Sequence, residues 1–524
     1  MKKLLIVVIF CNLLITNAWA KQDSLNFVGN VQEVIKKQNN ERNDVYLKLV
    51  SKRDSSVYFV DDFYLVFIIE QTHKQLLSDL IGKKSVREIG LRLENIEVAK
   101  KQIDGKKVKF ITSIDKIFPD YPSERSYQYS DLNPGIPDED YFHRYIEVPV
   151  SYENPEMGKF ELYYELCSDF DESKPRIIIP TDGQRSLSQV GWADKYKQNF
   201  ELDYNTVTYE YRGMYASSIP EVENKNTDWN TLYKILNSDN VVKDIEKIRQ
   251  DIPGDGEVYV LGGSGTAMIG LKYLANYPEK IKRAYLMSFF KDAKGSSLSG
   301  VRFFKDFIAS NNLKEKYVSA LNNENTYKYQ VLFLLQRLLY FDEQQAKQLI
   351  VELSQNKFDL YKKYTDMLGT VDFFIHSARK YKPWSVTFMY ETNINTSSYE
   401  IYDINYPFFE IAKPLRQARK KQYKSGEDLF DTPNLDKVQT EILLIAGSMD
   451  QVAPVNQLER IHQELSNSKL AIFKAYHCLQ SSSESKSVRN KLANLFFKSG
   501  SDSKNMENYL KSSSLLNKFI ELKE

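Results

Sequence analysis

The 524-residue sequence predicts an α/β protein: a mostly parallel sheet with helices on both faces, an inserted helical cap and an extra N-terminal α+β region. Three observations carry this. From Ile146 onward, short apolar runs alternate with amphipathic helical stretches. One run, Val258-Tyr259-Val260-Leu261, ends in a glycine turn, Gly262-Gly263-Ser264-Gly265-Thr266, that opens into a helical stretch from Ala267 to Tyr277. Residues 295–435 then break the alternation with a block of helical pattern before it resumes.

In chain order, Met1-Lys2-Lys3, an apolar stretch from Leu4 to Ile15 and Asn17-Ala18-Trp19-Ala20 read as a secretory signal over residues 1–20. Its apolar run is short for a membrane span, and no later uncharged apolar run is long. The mature protein is therefore expected to be exported, periplasmic or secreted, and not membrane-bound. Residues 21–140 read as mixed α and β: helical at Val31 to Lys37 and His73 to Leu80, β-rich at Val57 to Ile69 and Lys107 to Ile117. Pro119, Pro122, Pro134 and Pro137 mark a linker.

The first part of the core spans 141–294. Lys159 to Leu166 alternates as an edge strand would, and Arg176-Ile177-Ile178-Ile179 and Thr206 to Glu210 are short apolar strands. Val241 to Ile252 is an amphipathic helix, followed by the Val258 strand and the Ile281-to-Met287 strand. The helical block at 295–435 falls where strand ends carry a site, which suits a lid. The second part of the core, 436–498, has strands at Glu441 to Ala446 and Leu470 to Ala475, with helices at Val455 to Leu465 and Lys486 to Phe497. Residues 499–524 read as a polar tail.

Charge is near balance, 71 Lys and Arg against 70 Asp and Glu, with no basic stripe, so nucleic acid is not an expected partner. No Cys/His cluster has metal-ligand spacing, so neither a metal nor a cofactor is expected. Two cysteines, Cys167 and Cys478, follow the signal, too few for a disulfide framework.

The chemistry centres on Ser264. A strand, a sharp turn and a helix with serine at the apex is the nucleophile-elbow context. Gly262 and Gly265 remove the side chains that so tight a turn would crowd. Thr266 stands where G-x-S-x-G has its last glycine. A serine nucleophile needs a base, and the base an orienting acid. Of the five histidines, His73 and His143 precede the catalytic motifs, His376 lies in the helical block and His462 reads as an exposed helix residue. His477 alone follows a strand end, in Ala475-Tyr476-His477-Cys478, and is the expected base. Asp450, in Gly447-Ser448-Met449-Asp450, is the expected acid; Asp292 is the alternative, and a helix-capping role the plainer one for Asp450. The Gly265 amide, with that of Thr181 or Asp182 after the Ile177 strand, is the expected oxyanion pair.

These motifs, together with Val148-Pro149-Val150-Ser151-Tyr152-Glu153-Asn154-Pro155, Tyr211-Arg212-Gly213 and Gly447-x-x-Asp450-x-x-x-Pro454, resemble secreted tripeptidyl aminopeptidases and proline iminopeptidases over roughly 145–498. Those are α/β-hydrolase serine exopeptidases with a helical cap. The resemblance implies the α/β-hydrolase fold, Ser264 as nucleophile, Asp450 as acid and His477 as base. It also implies a cap carboxylate for the substrate's amine, for which Glu391 is the candidate. The chain departs from the family where a Gly-Gly-Pro-Gly stretch would follow the third strand: it has Pro180-Thr181-Asp182-Gly183-Gln184, which sets an acid near the oxyanion that would oppose the developing charge unless it points away or is paired, Arg185 being a candidate partner. The expected function is an exported serine hydrolase taking a peptide or small acyl substrate, an aminopeptidase first. An esterase or lipase, or a non-catalytic binding protein on the same scaffold, are the alternatives.

Overall fold

The computed structural model describes residues 25–39, 42–51, 57–61, 89–103, 106–119 and 139–521, the last stretch without 185–190, 215, 225, 292, 341, 369, 372–373, 376–377, 380–381, 393–401, 405 and 426–428. The secretory signal, His73, Arg185, Asp292 and His376 lie outside these residues. The chain divides into two units, Met1–Val66 with Ser78–Ser123, and Phe67–Leu77 with Glu124–Glu524.

The described part of the first unit is a closed barrel of β1 (Leu25–Asn39), β2 (Arg42–Ser51), β3 (Val57–Asp61), β4 (Ile89–Ile103) and β5 (Lys106–Pro119), in the order β1-β2-β3-β5-β4. Val31 to Lys37 is thus strand rather than helix, and the described residues of this region are β rather than α+β. Val31, Val34 and Ile35 have helical spacing, but β1 is paired with both β2 and β4, and ladder pairing outweighs a short local pattern. Phe110 and Ile111 are both buried although adjacent. They sit where the register shifts between Glu97 and Val98, and such a bulge re-aims successive side chains.

The second unit is built on a nine-stranded sheet, β14-β13-β12-β11-β10-β8-β9-β7-β6. Its strands are β6 (His143–Pro149), β7 (Lys159–Leu166), β8 (Arg176–Ile179), β9 (Asn205–Tyr209), β10 (Val258–Gly263), β11 (Arg283–Met287), β12 (Glu441–Gly447), β13 (Ser468–Phe473) and β14 (Leu516–Glu521). From β9 to β13 all neighbours run parallel. These strands read as continuous apolar runs because both faces are covered. One face carries the cluster of Val260, Leu286 and Leu444, the other that of Tyr259, Tyr285 and Leu443. Strand order reverses between β8 and β10, the place where an open α/β sheet forms its crevice.

The helices between these strands are α1 (Trp192–Phe200), α2 (Pro220–Glu223), α3 (Trp229–Leu236), α4 (Ser238–Asp251) and α5 (Gly265–Asn276). Between β11 and β12 stands the helical insertion: α6 (Ala293–Ser310), α7 (Lys314–Leu321), α8 (Lys328–Leu339), α9 (Glu343–Ser354), α10 (Asp359–Leu368), α11 (Pro383–Thr392), α12 (Tyr406–Ile411), α13 (Lys413–Ala418) and α14 (Lys420–Ser425). It carries a core of its own, around Phe304, Leu334 and Leu349. After β12 come α15 (Val455–Glu464), α16 (Ser483–Ser499) and α17 (Lys504–Ser512).

The C-terminal residues are no tail. α17 packs through Met506 and Leu510, and β14 pairs antiparallel with β13, Leu470 opposite Ile520. Leu515, Leu516, Phe519 and Ile520 supply the apolar surface that a polar average over the segment conceals. His462 is likewise not exposed. It is 4% accessible, with Nδ1 2.8 Å from Ser468 Oγ, because its helix face turns onto β13. Among the described residues no helix is long and apolar enough to cross a membrane. Cys167 and Cys478 are buried and unbonded.

Candidate active site

The elbow is built by collision avoidance. Ser264 has φ 60° and ψ −129°, a strained backbone for a residue with a side chain. A Cβ at Gly262 would stand 2.7 Å from Ala267 Cα. A Cβ at Gly265 would run into Asp182 Oδ2 and Gln184 Nε2, and would stand 2.9 Å from Asp182 Cβ. Thr266 is not a defect here. Its hydroxyl accepts from Gly263 N at 2.8 Å and donates to Gly263 O at 2.9 Å, fastening the first turn of α5 to the end of β10. The Ser264 amide donates to Met287 O at 2.8 Å, tying the apex to β11. Gly265 begins α5, so its amide is one of the N-terminal donors that a helix leaves unpaired.

His477 and Asp450 come from the loops after β13 and β12. His477 Nδ1 lies 2.8 Å from Asp450 Oδ2, and both side chains are buried. Asp450 Oδ1 accepts from the amides of Val452 and Ala453, both at 2.9 Å. These bonds fix the carboxylate in its own loop. The helix-capping alternative does not apply, since α15 has Pro454 at its cap position with no side-chain cap. Burial works against charge on His477, but the facing Asp450 carboxylate and the adjoining Cys478 outweigh it and hold the imidazole well above its usual value. Nε2 is buried and makes no hydrogen bond among the described residues, Ser264 Oγ included. A nucleophile–base contact of this kind often tightens only with substrate in place.

Two further residues hold this corner, and neither was singled out by sequence. Ser288, directly after β11, is buried at φ 48° and accepts the Cys478 amide on Oγ at 2.9 Å. It anchors the loop that carries His477. Tyr340, at the end of α8 in the insertion, sets its ring edge-on to the His477 ring, with centroids 4.7 Å apart. The insertion therefore reaches the histidine, as a lid would. Ser288 had one signal, its place at a parallel strand's C-terminal end; Tyr340 had none.

Two expected site residues are engaged elsewhere. The Thr181 amide donates to the Tyr209 hydroxyl at 3.1 Å, because Tyr209 on the neighbouring β9 reaches across to the end of β8. Of the two amides considered for the second oxyanion donor, that leaves Asp182. Glu391 is 1% accessible. Its carboxylate accepts the Ser238 amide at 3.1 and 3.3 Å, the N-terminus of α4, where a negative charge is favoured. Burial pushes its pKa up to about 7 against the pull of Lys272. Glu391 is thus buried and engaged with a helix end, where the expected amine-holding role calls for a carboxylate open to substrate. Asp182 is buried with its carboxylate over Gly265, where Oδ1 accepts Gln184 N at 3.0 Å and Oδ2 accepts Gln184 Nε2 at 2.8 Å.

The Val148-to-Pro155 segment has a structural account. Arg212, buried after β9, pairs with both Asp244 oxygens at 2.7 and 2.8 Å and donates to the carbonyls of Val150 and Pro149 at 2.7 and 3.1 Å. It ties the end of β6 to α4. A bidentate buried pair of this kind fixes geometry more than it adds stability.

Comparison with known proteins now decides the family. Residues 185–483, more than half of the chain, match the family described as alpha/beta hydrolase fold. The chain belongs to that family. It is a hydrolase of the alpha/beta hydrolase superfamily. No curated protein matches its sequence. Solved structures that resemble it include MGS-M2, an alpha/beta hydrolase enzyme from a Medee basin deep-sea metagenome library, at 15% identity and TM-score 0.36, covering 65% of this chain and 94% of that one. The proline iminopeptidase of Mycobacterium smegmatis is 13% identical at TM-score 0.34, covering 67% and 98%. An esterase from Exiguobacterium antarcticum is 15% identical at TM-score 0.33, covering 67% and 98%. The family assignment rests on the matched residues 185–483 and not on these likenesses.

Proposed function

We propose that this hydrolase is an exported serine peptidase of aminopeptidase type, with Ser264 as nucleophile, His477 as general base and Asp450 as the acid that orients it. The observation that carries the reading is the 2.8 Å bond between His477 Nδ1 and Asp450 Oδ2, which leaves Nε2 as the ring nitrogen without a partner among the described residues. That nitrogen would take the Ser264 proton as Oγ attacks the acyl carbon. The tetrahedral oxyanion would be met by the Gly265 amide, with that of Asp182 as second donor. His477 then gives the proton to the leaving amine, the acyl–Ser264 ester forms, and water activated by the same Nε2 releases the acid. A peptide substrate rests on the resemblance carried by Val148 to Pro155, and export on residues 1–20.

An ester hydrolase is the second reading. One observation favours it: Glu391, the candidate holder of a free amine, faces the N-terminus of α4 instead. Turnover of aminoacyl p-nitroanilides and of p-nitrophenyl acyl esters separates the two. Amide turnover that falls at least about a thousandfold in Ser264→Ala is the expected outcome. Ester turnover alone would establish the second reading, and turnover unaffected by Ser264→Ala would remove both.

A further inference from the structure

The loop after β8 sets two side chains against the elbow, and they come as a pair. A Cβ on Gly265 would run into both Asp182 Oδ2 and Gln184 Nε2. A Cβ lies about 1.5 Å from its Cα and about 2.5 Å from its own N, so Gln184 Nε2 stands no more than about 4 Å from Gly265 Cα and about 5 Å from Gly265 N. Two donors that share one oxygen at about 2.9 Å lie about 4–5 Å apart. Gln184 Nε2 is thus within the distance of a second donor to an oxygen held by the Gly265 amide. Asp182 is buried and Gln184 is exposed, so Gln184 is the member of the pair open to solvent.

The carboxamide's orientation is fixed by its partner. A carboxylate only accepts, so the Gln184 atom 2.8 Å from Asp182 Oδ2 is the nitrogen and not the oxygen. Asp182 Oδ1 accepts the Gln184 backbone amide at 3.0 Å, so both carboxylate oxygens are turned on the same residue. The carboxamide nitrogen carries two N–H bonds, and the carboxylate takes one. A bare carboxylate beside the Gly265 amide would repel a developing oxyanion. With Gln184 across it, the same carboxylate instead orients a donor. An amide held by one N–H presents the other in a set direction, which is the preorganisation that oxyanion stabilisation needs.

We propose that Gln184 is a catalytic residue: its Nε2 donates a hydrogen bond to the substrate's acyl oxygen as charge develops there, beside the Gly265 and Asp182 amides, with the Asp182 carboxylate positioning it. This role rests on Ser264 as the nucleophile. The test measures the second-order rate constant for labelling of Ser264 by a fluorophosphonate, whose phosphoryl oxygen takes the place of the acyl oxygen. Gln184→Met keeps an unbranched side chain of similar length and removes both N–H donors. The rate constant is expected to fall about tenfold or more, and further in Gln184→Glu, which brings a negative charge to the oxyanion. A rate constant, unlike the extent of labelling, does not depend on how much of a variant is folded. The same Gln184→Met step in an Asp182→Asn background tells a donor from a charge screen. A donor still contributes about tenfold there, because the side-chain oxygen left at position 182 accepts as before. An effect that vanishes with the charge would mean that Gln184 only screens Asp182, and overturns the proposal. Ser264 labelled equally fast in wild type and in Gln184→Met overturns it while leaving the nucleophile standing. A folded wild-type protein that takes no label removes both.

Discussion

At the scale of single residues, the account turns on what each side chain's neighbours leave it able to do. His477 is buried against Asp450, so its imidazolium is stabilised and its pKa stands well above the usual histidine value. A base must be neutral to act. Activity is therefore expected to rise with pH along a limb whose midpoint lies above the ordinary 6.5, and Asp450→Asn should move that midpoint down while lowering kcat by orders of magnitude. A pH–rate profile of both proteins checks this; an unmoved midpoint would detach Asp450 from the base. The residue scale is also where sequence reading was most uneven. Ser264, Asp450 and His477 stood out because each follows an apolar run, in the order of a catalytic triad. Thr181 could not be judged, because the Tyr209 hydroxyl that takes its amide comes from another strand. Glu391 read as a candidate holder of the substrate's amine because nothing local records that its partner is the start of α4.

At the scale of elements, periodicity served best where both faces are covered. The strands β8 to β13 announce themselves as apolar runs, and the elbow as a strand broken by glycine. It served worst at edges and in the barrel, where strands are half polar and pairing decides. β14 is the example. Leu516 and Phe519 are spaced as in a helix, and only the open edge of β13 makes them a strand. Removing residues 514–524 strips Leu515, Leu516, Phe519 and Ile520 from partly buried positions and bares that edge. The expected loss is about 2–4 kcal/mol of stability, with a rise in aggregation. Denaturant unfolding of the truncated protein measures the first and light scattering the second; an unchanged midpoint would mean that β14 is dispensable to the sheet.

At the scale of the whole molecule, the sheet's switch point gathers what the sequence scatters. The loops after β8, β10, β12 and β13 meet there, and the insertion between β11 and β12 lays Tyr340 against His477. Stability carries a signature of the same burial. Glu391 is held at about 7 in the fold against an unfolded value near 4.5, so the folded state binds a proton more tightly. Its contribution is fully present below about 4.5 and is lost as pH rises through 7, by up to about 3 kcal/mol. Glu391→Gln, which keeps the shape without the charge, should flatten the stability–pH curve between those values. Unfolding curves at pH 5 and pH 8 for both proteins test it, and parallel pH dependences would contradict it.

The most direct measurement of the central claim is labelling of the purified protein by a fluorophosphonate, with the modified residue mapped by mass spectrometry. The account predicts a single adduct on Ser264, absent in Ser264→Ala and formed far more slowly in His477→Ala. A folded protein that takes no label, or takes it equally well without His477, would contradict it and leave a hydrolase scaffold used for something other than serine chemistry.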